Sequence, residues 1–220
     1  MSSAQHFLLI IFLLSFFSCK IQSQTLILDD TTNLKVGVYR TFKEFKYNSP
    51  SIPTGFTVRP EQRWFRRDTK ESKDSSVHTI YHLLLPDSYS KRDSIWGFCD
   101  GKNVYVKTKR LDGYDFECDK IEYFGRYCLF HSWFGGSIGF TPTSILVNAV
   151  TSQTDSRLIK KGINFNNGYI FGIDEMDFLK SILERDQEIH KVYKQDKERK
   201  NKSFYYLKIY SEKHRDEIKP

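Results

Sequence analysis

Gly135-Gly136-Ser137-Ile138-Gly139 has the G-x-S-x-G spacing of a nucleophile elbow. That chemistry wants glycines because a tight strand-to-helix turn leaves no room for Cβ atoms beside an exposed serine. Asp174 and then His190 or His214 follow it in the order acid, imidazole. Against hydrolysis, Thr141 and Pro142 are poor starts for the long helix that must follow an elbow, and alternating βα units are missing upstream. Ser137 is therefore the single catalytic candidate, weighed against a plain Gly-rich turn, which is the preferred reading.

His78 and His82 have a spacing that suits a metal on a helix. Their surroundings, Val77 to Leu85, are rich in β-formers, and on a strand the two imidazoles share a face about 13 Å apart, too far for one ion. Asp29-Asp30 and the set Asp115, Glu117 and Asp119 read as turns and solvated loops, and neither follows a calcium-loop pattern. Beyond Cys19 the thiols are Cys99, Cys118 and Cys128, an odd number that allows one disulfide at most. Cys118 and Cys128 are the nearest pair and the candidate bridge, although three pairings are open. The spacing does not suit zinc. No metal or cofactor is expected.

The elements that would position these groups are mostly strands. Leu34 to Arg40 reads as a short strand, followed by Thr41-Phe42-Lys43-Glu44 with capping-box spacing and a brief helix that Asn48-Ser49-Pro50 stops. Strands are expected at Thr57 to Phe65 and Val77 to Leu85. Asp100-Gly101 is the strongest hairpin signal, between Ser94–Cys99 and Lys102–Val106, with Trp96 and Phe98 on one face. One or two strands follow between Phe116 and Phe130, then a hairpin around Asn166-Asn167-Gly168. From Asp174 the period becomes helical, with Phe178, Ile182, Ile189 and Tyr193 on one stripe and Phe204, Leu207 and Tyr210 on a last short helix. The expected fold class is α+β: a mostly antiparallel sheet with a short N-terminal helix and a helical C-terminal region.

The stretch from Tyr127 to Thr154 holds no Asp, Glu, Lys or Arg, although 28% of the chain is charged. Such a run implies burial, or contact with lipid or a partner. Its glycines, Pro142 and hydroxyls argue against a spanning helix.

At the other end of the chain, Phe7 to Leu14 is an unbroken apolar run continued by Phe16 and Phe17, with no charged side chain before Lys20. As a helix, residues 7 to 17 would reach about 16 Å, half of a hydrocarbon core, which fits a secretory signal better than an anchor. Phe16-Phe17-Ser18-Cys19 resembles the lipobox of bacterial lipoproteins, so cleavage before Cys19 and lipidation there is one reading. Ordinary cleavage after Ser23 is the other. The expected organisation is a signal peptide over 1–19, a linker over 20–33, a β domain over 34–173 and a helical region over 174–220. From His190 to Pro220 there are ten Lys or Arg against five Asp or Glu. No nucleic-acid module interleaves with them, so a solvated face or an anionic surface is expected and nucleic acid is not.

Two motifs carry a family likeness. Gly37-x-Tyr39-x-Thr41-x-x-Glu44-Phe45 and Trp96-Gly97-Phe98-Cys99-Asp100-Gly101-Lys102-Asn103-Val104-Tyr105, in that order, make the chain similar to a family of exported proteins and lipoproteins of Bacteroidota-type bacteria. That family has no assigned activity, so the resemblance implies a compartment, the cell envelope or periplasm, and no catalytic residues. The functional expectation is an exported, lipid-anchored envelope protein acting as a non-enzymatic binding or structural module, with the membrane and an envelope protein as partners. An envelope serine hydrolase using Ser137 is the alternative.

Overall fold

The computed structural model describes residues 26–66, 75–86, 89, 94–110, 115–134, 157–173 and 176–218. Ser137, Asp174 and Cys19 lie outside them. Nine strands form one antiparallel sheet: β1 (Gly37–Tyr39), β2 (Thr57–Arg66), β3 (Ser75–Leu84), β4 (Gly97–Cys99), β5 (Val104–Arg110), β6 (Asp115–Tyr123), β7 (Tyr127–Phe134), β8 (Arg157–Asn164) and β9 (Ile170–Gly172). Helix α1 (Phe42–Lys46) follows β1. Three more helices follow β9: α2 (Met176–Leu183), α3 (Gln187–Gln195) and α4 (Ser203–Lys213). The α+β class expected from the sequence is what the chain adopts.

The sheet forks at β6. Strands run in the order β1-β4-β5-β6-β7-β8-β9. The first half of β6 also pairs with β3, from Leu84↔Asp115 to Tyr81↔Cys118, while its second half pairs with β7 through Ile121↔Phe130 and Tyr123↔Leu129. Because Phe116 and Cys118 pair with β5 and β3 at once, β3 and β7 must share the other edge of β6. The β2–β3 ribbon and the β7–β8 pair therefore diverge from one strand.

Alternation along the strands feeds three apolar clusters. On β7, Cys128 and Phe130 join a cluster with α1, Tyr39, Val104, Val106 and Ile163, whereas Tyr127 and Leu129 face the C-terminal helices. On the far side of β4–β6, Phe98, Tyr105, Phe116 and Cys118 pack with Val38, Leu83 and Ile95. The stripe Phe178, Ile182, Ile189, Tyr193 belongs to two helices rather than one. The chain turns at Glu184–Asp186, where the Asp186 carboxylate accepts from the N–H groups of Glu188 and Ile189, both at 3.1 Å, and starts α3 afresh.

Thr41 caps the helix as its spacing requires, while the Glu44 carboxylate reaches one residue further back than in a standard capping box. Thr41 Oγ1 accepts from Glu44 N at 3.2 Å, and Glu44 Oε2 accepts from Arg40 N at 2.7 Å and from the Ser51 hydroxyl at 2.9 Å. Asn48, at φ 46°, ends the turn. Its side chain accepts from Lys35 N and donates to Asn33 O, which ties the preceding segment down. The Asp100-Gly101 hairpin has a loop of four residues between Cys99 and Val104 rather than two. Asp100 holds it by accepting from Lys102 N (2.8 Å), Asn103 N (2.7 Å) and the Tyr105 hydroxyl (2.8 Å).

Trp96 and Phe98 do not share a face. Tyr39 is opposite Gly97 in register, yet its carbonyl also accepts from Trp96 N at 2.9 Å. Two residues thus oppose one, a bulge that shifts the alternation. Trp96 turns toward α1, and Phe98 stacks on Tyr105 with ring centroids 4.4 Å apart.

Candidate functional site

The two motifs that carry the family likeness meet in space. β1 pairs with β4, and the Phe45 ring of α1 stacks on Trp96 at 4.2 Å between centroids and 19° between planes. Tyr39 and Phe42 close on the same indole at 6.4 and 5.8 Å. Next to this aromatic cluster an open cavity of about 400 Å³ is lined by Arg40, Thr41, Phe42, Ser94, Ile95, Trp96, Lys107 and Ile170. Each lining group has a local cause. Arg40 to Phe42 sit where the capped turn of α1 begins, Ser94 to Trp96 at the bulge before β4, Lys107 in the middle of β5 and Ile170 at the start of the edge strand β9.

Arg40 brings a guanidinium to this lining, whereas the Lys107 ammonium lies 5.9 Å from the ring of Phe116, which belongs to the cluster on the other side of the sheet. Phe42 and Trp96 supply ring faces, and Ile95 and Ile170 aliphatic surface. Ser94 contributes an exposed hydroxyl, while that of Thr41 is engaged in the cap. The arrangement can hold an anionic group near Arg40 while a ring or apolar body rests on the aromatic side.

A second group of titratable side chains occupies the fork of the sheet. His78 Nε2 lies 2.8 Å from Asp119 Oδ1, and His82 Nε2 lies 2.6 Å from Glu61 Oε2. Arg63 donates to Glu61 at 2.8 Å and to Glu117 at 2.7 Å, and its guanidinium covers the Trp133 ring at 4.5 Å. His131 Nδ1 stands 2.7 Å from Glu122 Oε1 across the β6–β7 pair. The Arg63 and His82 hydrogen bonds hold the Glu61 carboxyl below the usual range against the cost of burial. Burial pushes Glu122 up, but the His131 contact outweighs it and leaves its pKa lowered. Among the described residues these acids and imidazoles are already matched to one another, and no set of three or more His, Cys, Asp or Glu converges to hold a metal.

Glu117 and Asp119, expected in solvated loops, are 5% and 1% exposed on β6. The signal that marks them is the alternation Phe116-Glu117-Cys118-Asp119, which is a strand pattern with its polar face turned into the fork. Arg40, Lys107 and Ser94 carried no sequence signal of their own; only strand pairing brings them together. His78 and His82 do share a strand face as expected, and they serve two different carboxylates. His214 contacts Asp186 and Glu217, and His190 lies 3.9 Å from Glu184.

Cys99, Cys118 and Cys128 are buried, and none of them is in a disulfide. Continuing the β6–β7 register places Cys128 about six residues along the ladder from Cys118, roughly 20 Å, whereas a disulfide spans about 4.4–6.8 Å between Cα atoms. The candidate bridge between Cys118 and Cys128 therefore does not suit this fold. Cys118 belongs to the cluster around Phe98, and Cys128 to the one around Phe45. Burial pushes the Cys128 thiol up to about 12.

Among the described residues no helix is long and apolar enough to cross a membrane. Comparison with family models, with curated proteins and with solved structures finds no match to this chain.

Proposed function

We propose that this chain is an exported, lipid-anchored protein of the bacterial cell envelope that binds, without transforming it, a ring-bearing anionic ligand in the cavity beside Trp96. The observation that carries the reading is the lining of that cavity, in which the Arg40 and Ser94 side chains stand beside the rings of Phe42 and Trp96. A carboxylate or phosphate paired with a cation gives direction, and ring contact adds about 0.5–1.5 kcal/mol beyond the area buried. The apolar run from Phe7 to Phe17 ending in Ser18-Cys19 supports export and anchoring at Cys19.

The test compares charged and neutral probes of one shape. Benzoate and glucuronate at millimolar concentration should raise the melting temperature of the full chain, and benzamide and glucose should not. Arg40→Gln should abolish the shift, with the melting temperature of the unliganded variant measured beside it as the reference. Equal shifts from the acids and their neutral counterparts, or none from any of them, would refute the site. Anchoring is read separately: intact mass of the membrane fraction should show a diacylglyceryl increment that Cys19→Ala removes, with release of the protein to the soluble fraction.

A further inference from the structure

The C-terminal helices carry a charge pattern that the cavity does not use. Between Lys191 and Lys202 there are six Lys or Arg and two Asp or Glu. Both acids are taken up locally. Asp196 accepts from Tyr206 Oη at 2.7 Å and from Lys202 Nζ at 3.2 Å, and Glu198 lies 3.0 Å from the same Lys202 nitrogen. Arg199 is folded back, donating to the carbonyls of Lys194 and Asp196 with its guanidinium 6.0 Å from the Tyr193 ring. What remains is Lys191, Lys194, Lys197 and Lys200, every third residue, all exposed and none within ion-pair distance of a described carboxylate.

Two large apolar side chains of the same stretch also stand out. Val192 is 58% and Tyr205 56% exposed, although Ile189, Tyr193, Tyr206 and Leu207 of the same helices are buried in the C-terminal apolar cluster. Single exposed apolar residues are ordinary, but here they belong to the same stretch, α3 to the start of α4, as four exposed lysines.

We propose that this face of α3, the following turn and the start of α4 is a peripheral docking surface for an anionic lipid bilayer. Charge complementarity selects the partner. Lysines are compact point charges on flexible stems, suited to lipid phosphates that move in the plane of the membrane. A protein partner with carboxylates in fixed positions is better matched by the planar fork of arginine, and the arginine of this stretch is turned inward. Val192 and the Tyr205 ring would rest at headgroup depth, where an amphipathic tip is favourable. The surface is independent of the cavity ligand, and it would orient the domain at a membrane whether or not Cys19 carries lipid.

Flotation of the full chain with vesicles of pure phosphatidylcholine, and with vesicles in which about a third of the lipid is phosphatidylglycerol, tests this. The N-terminal apolar segment contributes on both, so the reading is the difference between them. At about fivefold per lysine, four lysines favour the anionic vesicles by up to several hundredfold at low salt, and screening should bring most of that down by 0.5 M salt. The variant K191E/K194E/K197E/K200E should lose the preference, while the four-arginine variant keeps it. Circular dichroism and melting temperature establish that each variant is folded, and a four-glutamine variant replaces the glutamate one if that does not fold. Equal partition of the parent chain on the two vesicle types overturns the proposal. So does a preference that survives in the folded glutamate or glutamine variant. Binding to polyglutamate without preference for anionic vesicles would instead assign the surface to an acidic protein, and that result also overturns it.

Discussion

Asp186 is the joint of the helical layer, and its removal is the most quantitative test of how that layer is held. The carboxylate caps α3 through two N–H groups and accepts from Lys213 Nζ at 2.9 Å and His214 Nε2 at 3.0 Å, both from the end of α4. The Lys213 hydrogen bond, with the capping N–H groups and His214, outweighs burial and lowers its pKa from 3.8 to about 2. At 1.36 kcal/mol per unit that shift is worth about 2 kcal/mol, and the half-exposed Lys213 reduces it to about 1–1.5 kcal/mol through solvent screening. Asp186→Asn keeps an N-cap oxygen and loses only the charge. For a chain of this size it should lower the melting temperature at pH 7 by about 2–6 °C. Asp186→Ala also removes the cap, for a further loss of about 1 kcal/mol.

The pH dependence gives the sign. A carboxyl whose folded pKa is depressed contributes stability above its unfolded value, and loses it as pH falls through the folded one. The gap between the parent and Asp186→Asn should be flat above about pH 5, shrink by about half near pH 3 and close near pH 2. Thermal melts in series from pH 7 to pH 3 read this directly. An asparagine variant as stable as the parent at pH 7 would refute the reasoning, as would a gap that does not narrow in acid.

Other consequences are sharper in direction than in size. Phe45→Ala, which empties the space against Trp96, should cost about 3–5 kcal/mol and be visible as loss of cooperative unfolding or a much lower denaturant midpoint. A Cβ on Gly97 would meet the Tyr105 carbonyl oxygen at 2.1 Å, so Gly97→Ala should open the β4–β5 hairpin and yield little soluble protein, whereas Gly55→Ala, with its nearest contact at 3.9 Å but φ at 81°, should cost only about 1 kcal/mol. Cys128 should resist a thiol reagent at pH 8 in the native protein and react once the chain is unfolded, since burial holds the thiol near 12; rapid native labelling at Cys128 would contradict the packing.

What the sequence made legible was local. The capping box at Thr41 and Glu44, the turns at Asp100-Gly101 and Asn166-Asn167-Gly168, and the change of period after Ile173 are set by residues within a few positions of one another, and each forms where the chain predicts it. The misreadings share a different cause. Trp96 and Phe98 part because a bulge against Tyr39 shifts the alternation, and a bulge is a property of the partner strand as much as of its own. The single helix expected after Asp174 is two, although Asp186 followed by Gln187 and Glu188 is itself a good capping signal.

The candidate sites sit at the far end of that scale. His78 and Asp119 are 41 positions apart and meet only because β3 and β7 leave the same edge of β6, so the fork between them is lined by whatever β6 turns that way. A carboxylate at that point has no water to face and must find a cation, an imidazole or a hydroxyl, or else give up its charge. The acids on β6 and the histidines on β3 therefore constrain each other: β-formers around His78 and His82 make the strand, and the fork makes the partners. The cavity beside Trp96 follows the opposite logic. Its lining comes from the start of α1, the bulge before β4, the middle of β5 and the start of β9, segments that only strand pairing brings together. Where the fold satisfies its buried charges internally, as at the fork, it gains a rigid scaffold. Where it leaves an open concavity beside aromatic faces, it leaves surface that a ligand can cover, which is why the cavity, rather than the larger polar network, is the place to look for a ligand.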